Sequence, residues 1–164
     1  MTHSALFLFC LALATVMPTN SVVAHESKTS TLITASLQLS ARPAADAVDH
    51  FHAALRRGDT RAAAALLSVD ALIFESGGVE RNKAEYASHH LAADAAFAAA
   101  TSQKTTRQSG AATGDVAWIA TEGTTTGKYK ERVINSVSTE TMVLRRANGA
   151  WKIVHIHWSS AKAK

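Results

Sequence analysis

Residues 151–160 read W-K-I-V-H-I-H-W-S-S, and this stretch governs how the rest of the chain is read. Side chains alternate across a strand with a period of two. An unbroken strand puts Trp151, Ile153, His155, His157 and Ser159 on one face and Lys152, Val154, Ile156, Trp158 and Ser160 on the other. Lys152 favours solvent, so its face is expected outside. Val154, Ile156 and Trp158 then form an apolar outer patch of the kind a homodimer interface needs. On the same reasoning His155 and His157 turn inward, toward a pocket or the helices.

Working back from that strand, Asn148-Gly149 is a strong type I′ hairpin signal. Strands are expected near 103–112, 115–126, 130–146 and 150–159, with a turn at Gly114-Asp115. Further upstream, Ala71–Ser76 reads as a strand and Gly77-Gly78 as a turn. A helix opens at Pro43, which suits the first turn because it lacks an N–H. Ala44, Ala47, Val48, Phe51, Ala54 and Leu55 recur at helical spacing, and Gly58 closes that helix. Asp59 caps a second helix over 60–67. Asn82 and Glu85 form a capping-box-like pair that starts a third, running to about Ala98 with Tyr86, Ala87, His90, Leu91 and Phe97 on its apolar stripe. Helices followed by a meander of long strands make an α+β domain with the helices on one sheet face.

The amino-terminal segment has a different character. Ala5–Val16 is apolar but too short to span a bilayer, which takes about 20 residues. Val22-Val23-Ala24 offers compact residues where a signal peptidase cuts. The expected organisation is a signal peptide over 1–24, a flexible tail over 25–42, a domain over 43–160 and a C-terminal tail over 161–164, in a periplasmic or secreted protein. Cys10, the single cysteine, would leave with the signal, so no disulfide, thiol nucleophile or thiolate metal site is expected. The formal charge is +4, concentrated after residue 101. No Lys/Arg block is interleaved with aromatics, so nucleic acid is not an expected partner. The mature form is not expected to be in a membrane.

The order of elements, the terminal W-K-I-V-H-I-H-W-S, the R-R-G-D that ends the first helix, the strand A-L-I-F-E-S before G-G, and the hairpin R-R-A-N-G-A-W-K together resemble the SnoaL-like branch of the nuclear transport factor 2-like superfamily. The resemblance covers nearly all of residues 44–160. It implies a cone-shaped domain, with three N-terminal helices packed in a strongly curved, mainly antiparallel sheet, a pocket at the wide end, and dimerisation through the outer sheet face. The superfamily includes isomerases, cyclases, dehydratases, binding domains and assembly hubs, so fold alone does not settle function.

Candidate chemistry rests on imidazoles and carboxylates. His155 and His157 stand two apart on one expected face. His90 lies on the third helix with Asp94 four residues on, a spacing at which a carboxylate can orient an imidazole as a general base. These four are the candidate catalytic residues. Tyr86, Phe97, Trp118, Glu122 and Trp151 are the candidate pocket lining. Glu75, Glu122 and Glu140 each share a strand face with apolar residues, and any of them that is buried would have its pKa raised. SnoaL-like cyclases and steroid isomerases generally use a pocket carboxylate as base; no position here maps onto it directly. No metal and no cofactor are expected. Were a metal held, His155 and His157 would ligate it, with His89, His90, Glu75 or Glu122 as a third ligand. A processed amino terminus at His25 is a further copper-chelating possibility.

The leading expectation is thus a small-molecule ligand in the cone, with a cofactor-free isomerase, dehydratase or cyclase activity using a His base. A metal-binding protein using the H-x-H strand and a non-catalytic assembly module are the alternatives.

Overall fold

The computed structural model describes residues 36–164. The expectations placed on the signal segment, Cys10 and His25 lie outside the described residues. A short 3-10 turn (Leu39–Ala41) leads into α1 (Arg42–Arg56) and α2 (Thr60–Leu66). Then come β1 (Leu67–Glu75), β2 (Gly78–Glu80), α3 (Lys83–His89) and α4 (Leu91–Ala100). The chain closes with four long strands: β3 (Thr101–Thr113), β4 (Val116–Tyr129), β5 (Arg132–Ala147) and β6 (Ala150–Lys162). Strand β6 runs two residues past the expected domain end at 160. No helix among the described residues is long and apolar enough to cross a membrane.

Local chemistry explains the helix boundaries. Pro43 sits in the first turn of α1, whose buried face is Ala44, Ala45, Ala47, Val48, Phe51, Ala54 and Leu55. Asp59 caps α2 by accepting from the Ala62 N–H at 2.9 Å. Asn82 caps α3 by accepting from the Glu85 N–H at 2.9 Å, and Glu85 reaches back to the Arg81 N–H at 2.7 Å, the reciprocal bonding of a capping box. The expected third helix is broken at His90 into α3 and α4. The break changes the phase of the buried stripe: Tyr86, Leu91, Ala95 and Ala98 are buried, whereas Ala87 and His90 are exposed.

The six strands form one sheet in the order β2-β1-β6-β5-β4-β3. Only β1 against β6 is parallel. The β5–β6 hairpin turns at Asn148-Gly149, both at positive φ, as a type I′ turn demands. Phe51 and Val48 of α1 and Tyr86 of α3 join Ile119, Met142, Leu144, Ile153 and Ile156 of the sheet in a fully buried core. Burying each large side chain of this kind stabilises by roughly 1.5–3 kcal/mol.

One irregularity reorganises the last strand. Leu144 pairs with Ile153 but Val143 pairs with His155, so Val154 is an extra, unpaired residue. Such a bulge shifts the alternation of faces by one. Ile153 before it and Ile156 after it are both fully buried. Trp158 follows Ile156 onto the inner face, and His155 and His157 turn to the outer one. The expectation of inward imidazoles and an outer Val154/Ile156/Trp158 patch is therefore reversed. Lys152 does face out, but its parity does not carry through the bulge.

Candidate functional site

Helices α1 and α4 and strands β3–β6 enclose a cavity of about 550 Å³, within the usual range for small-molecule pockets. Among its lining residues is Glu140 on β5, which is only 8% exposed. Glu140 Oε2 accepts from the Trp158 indole N–H at 2.6 Å and lies 2.8 Å from His52 Nε2. Trp158 is the cross-strand neighbour of Glu140, and its ring stacks on Phe51. His52 arrives from α1, next to Phe51 and on the same side as Val48 and Leu55.

Two buried oxygens of this wall have no hydrogen-bond partner: Glu140 Oε1 and Thr121 Oγ1. They belong to residues directly opposite one another on β4 and β5, and both residues line the cavity. Buried polar atoms are seldom left unsatisfied in folded proteins. The pair marks a place where a ligand's polar group would be held. Around it the wall is rich in hydroxyls, with Thr125, Ser136, Ser138 and Ser160 among them, while Phe97 and Trp158 supply aromatic surface and Arg56 and Lys104 positive charge.

A second acidic group lies across the cavity. Asp94 of α4 accepts from the Tyr86 hydroxyl at 2.7 Å. Burial raises the Asp94 pKa, with the Tyr86 hydrogen bond and the nearby His90 opposing that rise. Glu75, at the end of β1, is also raised, by burial first and then by the charge of Asp94. The Tyr86 hydroxyl is pushed far up by burial and by Asp94, so it stays a donor. Both carboxyls thus retain a proton to higher pH than free ones.

The residues expected from sequence scatter. His155 and His157 flank Phe74 edge-on, outside the cone; His155 Nδ1 bonds the Leu72 carbonyl at 2.9 Å and His157 is exposed. Among the described residues no group of three ligand atoms gathers around them. The His90 ring acts on Asp94 only through its charge; its Nδ1 is hydrogen-bonded to Glu80 of β2. Asp94 and Phe97 do line the cavity. Tyr86 is buried behind it and reaches it through Asp94. Trp118 is exposed on the outer face of β4, Glu122 is exposed beside Arg107 at 3.8 Å, and Trp151 packs under Arg146. Of the expected interface residues, Val154 is the half-buried bulge and Ile156 and Trp158 are internal. Sequence reasoning passed over His52. Its signal was available, because it is four residues after Val48 and three before Leu55, on the buried side of α1.

Comparison with known proteins follows from this geometry. The family profile of the SnoaL-like domain matches residues 44–163. A candidate ketosteroid isomerase from Shewanella frigidimarina NCIMB 400 is 38% identical, with 71% of this chain and 94% of that one covered and a TM-score of 0.68. A candidate dehydratase of the NTF2-like family from Streptomyces avermitilis is 19% identical over 74% of this chain and 96% of that one, TM-score 0.64. The association domain of C. elegans CaMKII is 16% identical over 72% and 93%, TM-score 0.58. The last two likenesses bear on the fold alone. No curated protein matches.

Proposed function

Since the chain belongs to the SnoaL-like domain family, we propose that its cone binds a small organic molecule and moves a proton on it without a cofactor, in an isomerisation, dehydration or cyclisation. The observation that carries this reading is the His52–Glu140–Trp158 group, with the free oxygens of Glu140 and Thr121 beside it. His52 Nε2 stands 2.8 Å from Glu140 Oε2, and the other ring nitrogen, Nδ1, takes a proton from the ligand. Glu140, which accepts from the Trp158 indole N–H, orients the ring and stabilises the imidazolium that forms. Returning that proton at a second atom of the ligand completes an isomerisation with no net change in protonation. Thr121 Oγ1 donates to the ligand oxygen on which charge develops, and Asp94 or Glu75, whose pKa burial raises, serves as acid at the other end.

The hydroxyl-rich wall favours an oxygenated ketone over a purely hydrocarbon guest. The relative named as a candidate ketosteroid isomerase makes a ketosteroid a second substrate to try. The test is deuterium wash-in from heavy water at carbons next to the carbonyl, followed by NMR over a panel of such ketones. Exchange by the wild type and a loss of about 10²–10⁴-fold in His52→Gln is expected. Binding of panel members with no exchange in any of them would leave a binding module instead.

We also propose that two copies pair through the outer sheet face. The register across the strands sets Trp118, Val143, His155 and Leu72 in one row on that face, with Val116 beside it and 53% exposed. Export is proposed on the leader reading of residues 1–24, and N-terminal sequencing of protein from the periplasm or medium tests it, with His25 expected first.

A further inference from the structure

A third buried oxygen lacks a hydrogen-bond partner, and it lies away from the Glu140 group. It is Glu80 Oε2, at the end of β2. Glu80 is 6% exposed, so its carboxyl is held there almost without water. Its other oxygen, Oε1, is hydrogen-bonded to His90 Nδ1. His89 Nδ1 lies 3.4 Å from the orphan Oε2 but is not aligned for a hydrogen bond. Glu85, one turn before His89 on α3, brings a second carboxylate. One of its oxygens caps the Arg81 N–H, while the other is 3.8 Å from the Arg81 guanidinium. Ligand atoms of Glu80, Glu85 and His89 all fall within 4.8 Å of one another.

We propose that Glu80, Glu85 and His89 bind a divalent transition-metal ion of the zinc class. The spacing suits it. Zinc takes nitrogen and oxygen ligands at about 2.0–2.1 Å in a tetrahedron, which puts neighbouring donors about 3.4 Å apart. That is the separation of His89 Nδ1 from Glu80 Oε2. An ion there satisfies the orphan oxygen, and His90 orients the carboxylate from its second oxygen, as outer partners of metal ligands do. His89 is largely exposed, so the ion can enter from solvent and keep a water as its fourth ligand. Glu80 and His90 also line a side cavity of about 160 Å³. Three donors from β2 and α3 would staple the corner that carries Tyr86, and Tyr86 holds Asp94 in the main cavity. The site stands whether or not the proton-transfer reading does.

The test uses the untagged chain, stripped with chelator and titrated with zinc chloride by calorimetry. Wild type should bind one equivalent and melt at a higher temperature with zinc present, by mass action on the folded state. His89→Ala removes an exposed side chain and should fold normally, yet bind at least tenfold more weakly. Glu85→Gln should also weaken binding, and the double variant His155→Ala/His157→Ala should not. Cobalt substituted into wild type should give visible d–d bands that His89→Ala lacks. Absence of stoichiometric zinc in the wild type, or equal binding by His89→Ala, would overturn the site.

Discussion

The Trp158 indole N–H donates to the Glu140 carboxylate at 2.6 Å, across the β5–β6 ladder and inside the cone. A single extra residue, Val154, makes this contact possible. Without it Trp158 would share the outer face with Lys152.

The bond predicts a measurable stability cost. In Trp158→Phe the ring volume is largely kept but the N–H is lost, leaving a buried carboxyl without its hydrogen-bond donor and with only the His52 ring nitrogen, 2.8 Å away, as a polar neighbour. Removing one partner of a buried polar group costs about 1–3 kcal/mol. Urea denaturation should show that loss, and Glu140→Gln combined with Trp158→Phe should show less than the sum of the two single changes.

Glu75 and Asp94 predict a pH dependence. Both are raised in the folded state, by burial first, so the native chain holds more protons than the unfolded one just above the ordinary carboxylate range. Stability contributed by the neutral carboxyls is complete below the unfolded pKa values and is lost as pH rises through the folded ones. Asp94→Asn should flatten that fall in urea melts taken from pH 4 to pH 8. Tyr86→Phe removes the bond that opposes the rise of Asp94 and should move the fall to higher pH.

Trp118 is 41% exposed on the outer sheet face. Trp118→Asp places a charge in the proposed pairing surface and should convert dimer to monomer in light scattering coupled to size exclusion, with the circular dichroism spectrum unchanged. A wild-type chain already monomeric at tens of micromolar would refute the pairing.

His155 and His157 lie outside the cone, against Phe74. Replacing His157 by Ala should leave ligand binding and proton exchange within a factor of about two, in contrast to His52→Gln, since surface changes away from a site perturb little. A large loss of exchange in His157→Ala would place the chemistry on the other side of the sheet.

Features that depend on neighbours within four residues were legible in the chain. The α1 stripe from Ala44 to Leu55, the Asn82–Glu85 capping pair and the Asn148-Gly149 turn all stand as expected, because each is decided by local backbone geometry. Glu140 was legible as a carboxylate on an apolar strand face, and it is buried; Glu75 and Glu122, read the same way, are exposed. Asp94 was singled out, but with the wrong partner. It takes the hydroxyl of Tyr86, eight residues away, because the helix breaks at His90 and Glu80 captures that ring.

The sequence by itself determined the α+β class, the family likeness and the order of the elements apart from the short strand β2 and the split of the third helix, since turn chemistry and hydrophobic period are written into short windows. Tertiary structure decided which residues meet in the cone. Face parity along β6 depends on its register against β5 and β1, and one unpaired residue at Val154 exchanges inside for outside. His52, Glu140 and Trp158 come from three separate elements and are joined only when the sheet closes over α1, so no local window contains them.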